Sequence, residues 1–372
     1  MVKYPKRGIY DMKKYIEKIT DPRQQGKTKY NLHEIITMTI CAVMSGCEIW
    51  EEIIDFCKVK ENWFCNELKL TLANGIASHD TFQRIFQIIK PDEFEKCFVE
   101  WVKSIKTNAE KEYISIDGKT VCGSKKDGKD GIHLVGAWAS KNQLALGQIK
   151  VDGKTNEIKA IPKLLDLLEL SNSVITIDAM GCQKDIAEKI IKDAESDYVL
   201  ALKGNQGNLY NDVKLYFDEE KIKESYTTNE KDHGRIETRE YYLETEINWL
   251  DKKSEWLGIK GIGMVRSKVI KKDKVPIEKR YFLTSLEDVE SFAKSVRGHW
   301  GVENSLHWCL DVIFNEDSNR TRKDNSAENF SVIRRMALNA LRKHPSKMSL
   351  NRKKRKCHYD VSFMAEVLFS VF

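Results

Sequence analysis

Tyr113-Ile114-Ser115-Ile116-Asp117-Gly118 and Val174-Ile175-Thr176-Ile177-Asp178-Ala179-Met180-Gly181 share one pattern: strand-forming residues, then an aspartate, then glycine or small residues. β-Branched runs of this kind fit central strands of a sheet covered on both faces. If the two strands are neighbours, Asp117 and Asp178 meet at one edge of that sheet. Two converging carboxylates repel each other unless a cation lies between them. Oxygen ligands suit Mg²⁺ or Mn²⁺, and two such ions, roughly 3.5–4 Å apart, can drive phosphoryl transfer. Each aspartate also has a plainer reading. Asp-Gly is a common hairpin turn, and Asp-Gly-Lys-Thr occurs twice, at 117–120 and 152–155. Asp152 ends a strand just before a helix, where turn chemistry suffices. Asp178 has the stronger functional reading, because ligands gather at strand ends in α/β sheets.

Working outward, Ile132 to Trp138, Leu144 to Ile149 and Tyr198 to Leu202 read as further strands. Ile158, Ile161, Leu164, Leu165 and Leu168 form one helical stripe, and Ile186, Ile190 and Ile191 another. The order is β-β-β-α-β-α-β. Residues 204–290 break this rhythm: 237–242, 259–270 and 280–284 look like antiparallel strands among charged loops, a mostly β insertion more than a continuation of the core. Residues 10–106 read as helical. Asn31 stands before the stripe Leu32, Ile35, Ile36, Thr39 and Val43. Ser78 or Asp80 is placed to cap the helix of Phe82, Ile85, Phe86 and Ile89, which Pro91 closes. Plain helical core is the first reading of these stripes and a DNA-reading helix the alternative. Helix returns at 295–314 and 326–343, before a basic tail. The expected division is a helical segment over 1–108, an α/β catalytic domain over 109–345 with its β insertion, and a tail over 346–372.

The chain of 372 residues exceeds what one compact core usually holds. Its 41% hydrophobic and 9% aromatic content excludes a disordered chain. Its 32% charge and mean hydropathy of −0.50 argue against a membrane protein. Subtracting 56 acidic from 62 basic residues leaves +6, which permits a nucleic-acid partner without requiring one. Nine scattered cysteines with no C-x-x-C pair indicate reduced, mostly buried thiols. With no apolar signal region at the N-terminus, a cytoplasmic location is expected.

A third candidate lies in Arg297-Gly298-His299-Trp300-Gly301-Val302-Glu303-Asn304-Ser305-Leu306-His307-Trp308-Cys309-Leu310-Asp311. On a helix, Val302, Leu306, Cys309 and Ile313 make an apolar stripe. His299, Glu303, His307 and Asp311 recur every four residues on another face. A solvated charged face is the usual reading; two tryptophans and two histidines among these residues weigh against it. A His-Glu-His zinc site is also unsuitable. The histidines are eight residues apart, roughly 12 Å along a helix axis, so an oxygen-ligated Mg²⁺ or Mn²⁺ with at most one histidine nearby fits better.

With Ser115-Ile116-Asp117-Gly118-Lys119, Thr176 to Gln183, Leu202-Lys203-Gly204-Asn205-Gln206, His233 to Arg239, and His299 to Asn304 followed by Leu306 to Val312 in order, the chain resembles the H-repeat-associated group of insertion-sequence transposases. Ser78-His79-Asp80-Thr81-Phe82 matches the helical region that accompanies the catalytic domain in this group. The resemblance runs from about residue 15 to the C-terminus. It implies an RNase H-like core in which Asp117, Asp178 and Glu303 form a DDE acidic triad holding Mg²⁺ or Mn²⁺, two ions in all. It implies cutting at element ends and joining of the 3′-hydroxyl to target DNA. The implied partners are double-stranded terminal repeats and target DNA, with self-association in the DNA complex, association with the nucleoid when DNA is bound, and no membrane. Relatives with a Tyr-Arg-Glu-Lys signature carry an arginine where this chain has His299 and a lysine where it has Leu310. Arg297 and Lys294 are the candidates to replace them. The alternatives are an RNase H-like nuclease that cuts without joining and an inactive, transposon-derived DNA-binding protein.

Between Lys347 and Lys356 there are six basic residues and no acidic one, with Arg352, Lys353, Lys354, Arg355 and Lys356 contiguous. In a DNA-processing enzyme this run would neutralise phosphates; otherwise it is a solvated tail. Lys119, Lys125, Lys126 and Lys129 follow the first catalytic strand and could line the DNA path. Arg235 and Arg239 alternate on an expected strand, and His299 and His307 flank Glu303. All are candidate DNA contacts, although phosphate contacts position without specifying sequence.

Overall fold

The computed structural model describes residues 13–24, 26–107, 111–125, 128, 130–151, 156–219, 225–232, 235–270 and 276–371. Asp152, Lys126, Lys129 and the His233-Gly234 pair lie outside them, as does the side chain of Arg235. The N-terminal part is helical: after a helical turn at 13–16 come α1 (Leu32–Met44), α2 (Trp50–Val59), α3 (Glu61–Asn66), α4 (His79–Ile88) and α5 (Pro91–Ile105). Pro91 opens α5 at a position where its missing N–H costs nothing, and Asp92 and Glu93 follow in the first turn.

Among the described residues, one mixed sheet of nine strands follows. β1 (Glu112–Thr120), β2 (His133–Ala139) and β3 (Leu144–Val151) form an antiparallel meander. Helix α6 (Glu157–Leu167) leads to β4 (Ser173–Ile177), and α7 (Lys184–Lys192) to β5 (Asp197–Leu202). β4 lies parallel to β1 and β5 parallel to β4. Every residue of β2 and of β4 is buried, as their apolar runs require. This is the RNase H-like arrangement.

The β-rich segment departs from the sequence reading in one respect. After α8 (Asn208–Glu219) come β6 (Ser225–Asp232), β7 (Arg235–Glu244), β8 (Gly261–Ile270) and β9 (Ile277–Thr284). β9 pairs antiparallel with β5, so the sheet runs β3-β2-β1-β4-β5-β9-β8-β7-β6. The four strands continue the core sheet instead of standing apart from it. Periodicity identifies strands, but whether β5 keeps a free edge depends on long-range pairing.

Helix α9 (Val289–Gly301) packs across β1 and β4, and α10 (Ser326–Lys343) is buried along most of its length. On one side of α10, Asn339 exchanges hydrogen bonds with the backbone of Ala145 in β3, both 2.9 Å. On another, Asn329 donates to Phe86 O and Ile89 O at 2.9 and 3.0 Å, and Phe330 meets Trp50 edge-on. The helical N-terminal segment therefore shares one apolar core with the sheet. No helix among the described residues is long and apolar enough to cross a membrane.

The expected basic tail is a second correction. Residues 350–369 form α11 (Leu350–Tyr359) and α12 (Val361–Phe369), whose apolar residues belong to the same core. Lys353 Nζ donates to Leu341 O and His344 O, both at 2.8 Å, on the last turn of α10. Lys354 reaches Ile313 O and Glu48. Both lysines are buried and cannot meet DNA, while Arg352 and Arg355 are exposed and Lys356 is half-buried beside Asp360. A run of like charges wound into a helix turns one side inward, here the adjacent Lys353 and Lys354, where carbonyls at a helix C-terminus accept them.

Lys353→Ala and Lys354→Ala should each lower stability by about 1–3 kcal/mol, because buried acceptors lose their donor. Arg352→Ala and Arg355→Ala should stay within about 0.5 kcal/mol of wild type. Urea unfolding of the four variants checks this; equal losses in all four would return the run to a solvated tail.

Candidate active site

In the parallel register of β1 and β4, Ser115 faces Thr176 and Ile116 faces Ile177. Asp117 and Asp178 are the next residues along each chain and therefore neighbours. β1 continues to Thr120 against β2, whereas β4 ends at Ile177. The chain turning away after Asp178 opens a notch beside Asp117. Asp178 Oδ1 accepts from Met180 N and Gly181 N at 3.1 and 3.3 Å, fixing this turn. Gly181 has no room for a side chain, since a Cβ would lie 2.3 Å from Ile177 Cγ2.

Asp117-Gly118 is not a hairpin turn: both residues lie inside β1, opposite Gly136 and Val135. A Cβ on Gly118 would sit 2.5 Å from Glu157 Oε1 and 2.8 Å from His133 Nε2. The glycine makes space for a buried chain of hydrogen bonds, Thr120 Oγ1 to His133 Nδ1 at 2.8 Å and His133 Nε2 to Glu157 Oε1 at 2.5 Å. Sequence reasoning missed this support, because its three residues lie on β1, β2 and α6 and share no local pattern.

Glu303 enters from above the sheet. α9 is capped by Asp288, which accepts from Ser291 N at 2.7 Å, and the helix continues into π-helical turns over Val302–His307 and Cys309–Ile313. The bond from Phe314 N to Cys309 O spans five residues. Such widened turns recur at functional sites. They also alter the four-residue spacing assumed from sequence, so the two histidines leave a common face. His299 Nδ1 is 3.0 Å from Thr176 Oγ1, and His307 Nδ1 is 3.7 Å from Asp117 Oδ2. Burial depresses both imidazoles to about 4, assisted at His307 by Arg335 and Lys119. They are neutral at pH 7.

Asp117, Asp178 and Glu303 line one cavity of about 520 Å³, together with Thr176, His299 and Trp300. Burial pushes the Asp117 carboxyl up to about 7, opposed by a hydrogen bond from the Gly118 backbone and reinforced by the charges of Asp178, Glu303 and Glu157. Among the described residues, no three His, Cys, Asp or Glu side chains stand close enough to form a ready metal cluster. The donor set itself is carboxylate oxygen, which fits Mg²⁺ or Mn²⁺. The shift at Asp117 marks a carboxyl that lacks a counter-charge.

Several expected DNA contacts are elsewhere. Lys119 is buried, with Nζ 2.6 Å from Asp311, 3.3 Å from Asp317 and 3.8 Å from Glu316. Arg334 and Arg335 of α10 approach Glu316 at 3.7 and 3.4 Å. Three cations thus match three carboxylates and tie β1 to the helix of Glu303; Lys119 is a structural ion-pair partner, not a contact to DNA. Arg239 is held by Glu230 and Glu237 at 2.9 and 2.6 Å. Arg297 makes a two-pronged contact to Glu230, both prongs 2.8 Å, and Lys294 pairs with Glu290. These arginines are committed to neighbouring carboxylates, which a count of basic residues cannot reveal. His299 and His307 face the carboxylates of the cavity, and Arg235 stands at the start of β7.

Comparison with known proteins gives this geometry its setting. Residues 108–340 match the family described as "Transposase DDE domain", and residues 13–102 match "DDE_Tnp_1-associated". The chain is 41% identical to "Putative transposase YncI" of Escherichia coli O157:H7, over 98% of this chain and 95% of that protein. It is 40% identical to "H repeat-associated putative transposase YhhI" of Escherichia coli K12, over 96% and 98%. A solved piggyBac transposase synaptic complex with hairpin DNA aligns over 98% of this chain and 81% of its own, at TM-score 0.43 and 12% identity, too distant to bear on the site.

The raised Asp117 carboxyl sets a pH dependence. Its folded value lies above its unfolded one, so protonation favours the folded state, and that contribution is lost as pH rises from about 4 through about 7. In metal-free protein, Asp117→Asn should raise the unfolding free energy at pH 8 by an amount on the order of a few kcal/mol, with a higher melting temperature there, and make little difference at pH 4. Thermal unfolding at both pH values measures it; an Asn variant less stable at pH 8 would show that the carboxylate is already compensated.

Proposed function

The chain belongs to the transposase DDE-domain family, and from that premise we propose that it cuts DNA at the ends of its own insertion element and joins the freed 3′-hydroxyl to target DNA. The observation that carries this reading is the meeting of Asp117, Asp178 and Glu303, from two strands and a helix, in one cavity where Asp117 lacks a counter-charge. Asp117, Asp178 and Glu303 would hold Mg²⁺ or Mn²⁺, two ions in all. Bound there, divalent cations supply activation of water or a 3′-hydroxyl and offset charge at the leaving oxygen.

The rest falls to the protein. Asp117 must release its proton to hold a cation, and the cation in turn favours the ionised carboxylate. His299 is held against Thr176 next to Asp178, and as a neutral ring it does not compete with a cation for the carboxylates. The buried ion-pair network from Lys119 to Arg335 keeps the strand of Asp117 and the helix of Glu303 at fixed separation. Arg352 and Arg355 on the exposed face of α11, with Lys356 beside them, are available to neutralise phosphates, and Arg235 on β7 remains a candidate. The DNA complex would hold more than one copy of the chain.

A nuclease that cuts without joining differs only in the second step. A derivative without transposase activity has precedent in "Inactive transposase YbfQ" of Escherichia coli K12, 38% identical over 20% of this chain. The presence of all three acids favours the active reading. Asp117→Asn, Asp178→Asn and Glu303→Gln should each abolish Mg²⁺-dependent cleavage of DNA carrying the element's terminal repeats, with DNA binding largely kept. Full cleavage by any one removes that residue from the triad. Wild type given pre-cut ends should yield joined product; none would leave the nuclease reading.

A further inference from the structure

Leu202-Lys203-Gly204-Asn205-Gln206 has so far no role. β5 ends at Leu202, and its parallel register with β4 brings Leu200 opposite Ile177, the residue before Asp178. Lys203 is therefore carried out at the same sheet edge as Asp178, where it lines the triad's cavity. The turn behind it is laced to the Asp178 loop: Asn205 Nδ2 donates to Ala179 O at 2.8 Å, and Gln206 Nε2 to Cys182 O at 2.6 Å. A turn bound twice to the loop of a triad residue holds its lysine in fixed relation to that residue.

The other cations of the cavity are committed. Lys279 pairs with Asp218 at 2.5 Å, and Arg280 holds both oxygens of Glu278 while lying over the Trp300 ring at 4.2 Å. Lys203 is exposed, and among the described residues it has no carboxylate partner. Arg297 and Lys294, the expected substitutes for the missing basic residues, are paired outside the cavity lining. A cation left without a counter-ion, on a braced turn, in a cavity otherwise dominated by carboxylates, needs an anion from outside the chain.

We infer that Lys203 binds a DNA backbone phosphate beside the one being cut, holding the strand against the triad. The inference rests on the DNA-cleavage reading above and assigns its cationic contact. A phosphate contact through one ammonium group is a charge-assisted hydrogen bond, so its loss should slow cleavage roughly tenfold to a hundredfold.

The test uses the full chain, Mg²⁺ and duplexes bearing the element's terminal sequence, each with one neutral methylphosphonate in place of a single phosphate around the cut. For wild type, one such position near the cut should lower the rate strongly. Lys203→Ala should be slowed on the all-phosphate duplex and lose nothing further at that position, while still losing rate at the others. Lys203→Arg should recover most of the wild-type rate. The inference is overturned if Lys203→Ala cuts at the wild-type rate, or if its losses add at every position, which is the pattern of a merely structural lysine. Glu303→Gln is run alongside: its cleavage would sink the triad, a failure separate from either Lys203 result.

Discussion

The parallel, in-register pairing of β1 with β4 is the constraint on which the rest of the molecule depends. It makes Asp117 and Asp178 neighbours, and the unequal lengths of the strands open the notch into which Glu303 descends. Burial is the main cause of the raised Asp117 carboxyl, and the like charges of Asp178, Glu303 and Glu157 add to it. The surrounding structure holds these acids close together despite their mutual repulsion.

The distribution of cations shows how this is done. Lys119, two residues from Asp117 on the same strand, is committed to the cluster of Asp311, Glu316 and Asp317, with Arg334 and Arg335 completing the balance. Charge is satisfied there, behind the site, and left unsatisfied in front of it. A buried pair broken on one side is costly, so this cluster resists separation of β1 from the helix of Glu303. The π-helical turns and the Thr120–His133–Glu157 chain beneath Gly118 restrict the same region from other directions.

Helix α10 serves a different purpose. It is buried from Ser326 to Leu341 except at Glu328, and binds the edge of β3, the N-terminal helices and the C-terminal α11 and α12. Two of its arginines, Arg334 and Arg335, supply the charge network, so the element that unites the core also fixes the site. The nine cysteines are all free; seven are buried, and burial raises Cys47, Cys97, Cys182 and Cys357 to about 12, as expected of inert core thiols.

The strands bearing Asp117 and Asp178, the helix bearing Glu303, and the β-β-β-α-β-α-β order were legible in the sequence, because period and β-branching act within a few residues of one another. The ordered motifs added the family. The sequence could not place β6 to β9 on the edge of β5, since strand pairing joins residues some eighty positions apart and leaves no local trace. Nor could it separate working cations from paired ones. Lys119, Lys353, Lys354, Arg239 and Arg297 read like any exposed basic residue until their partners, brought in from other elements, show them engaged. Lys203 is the converse, an ordinary lysine whose position follows from two side-chain amides that tie its turn to the loop of Asp178. Side-chain chemistry is written locally, whereas burial and charge compensation are properties of contacts, and contacts exist only once the chain has folded.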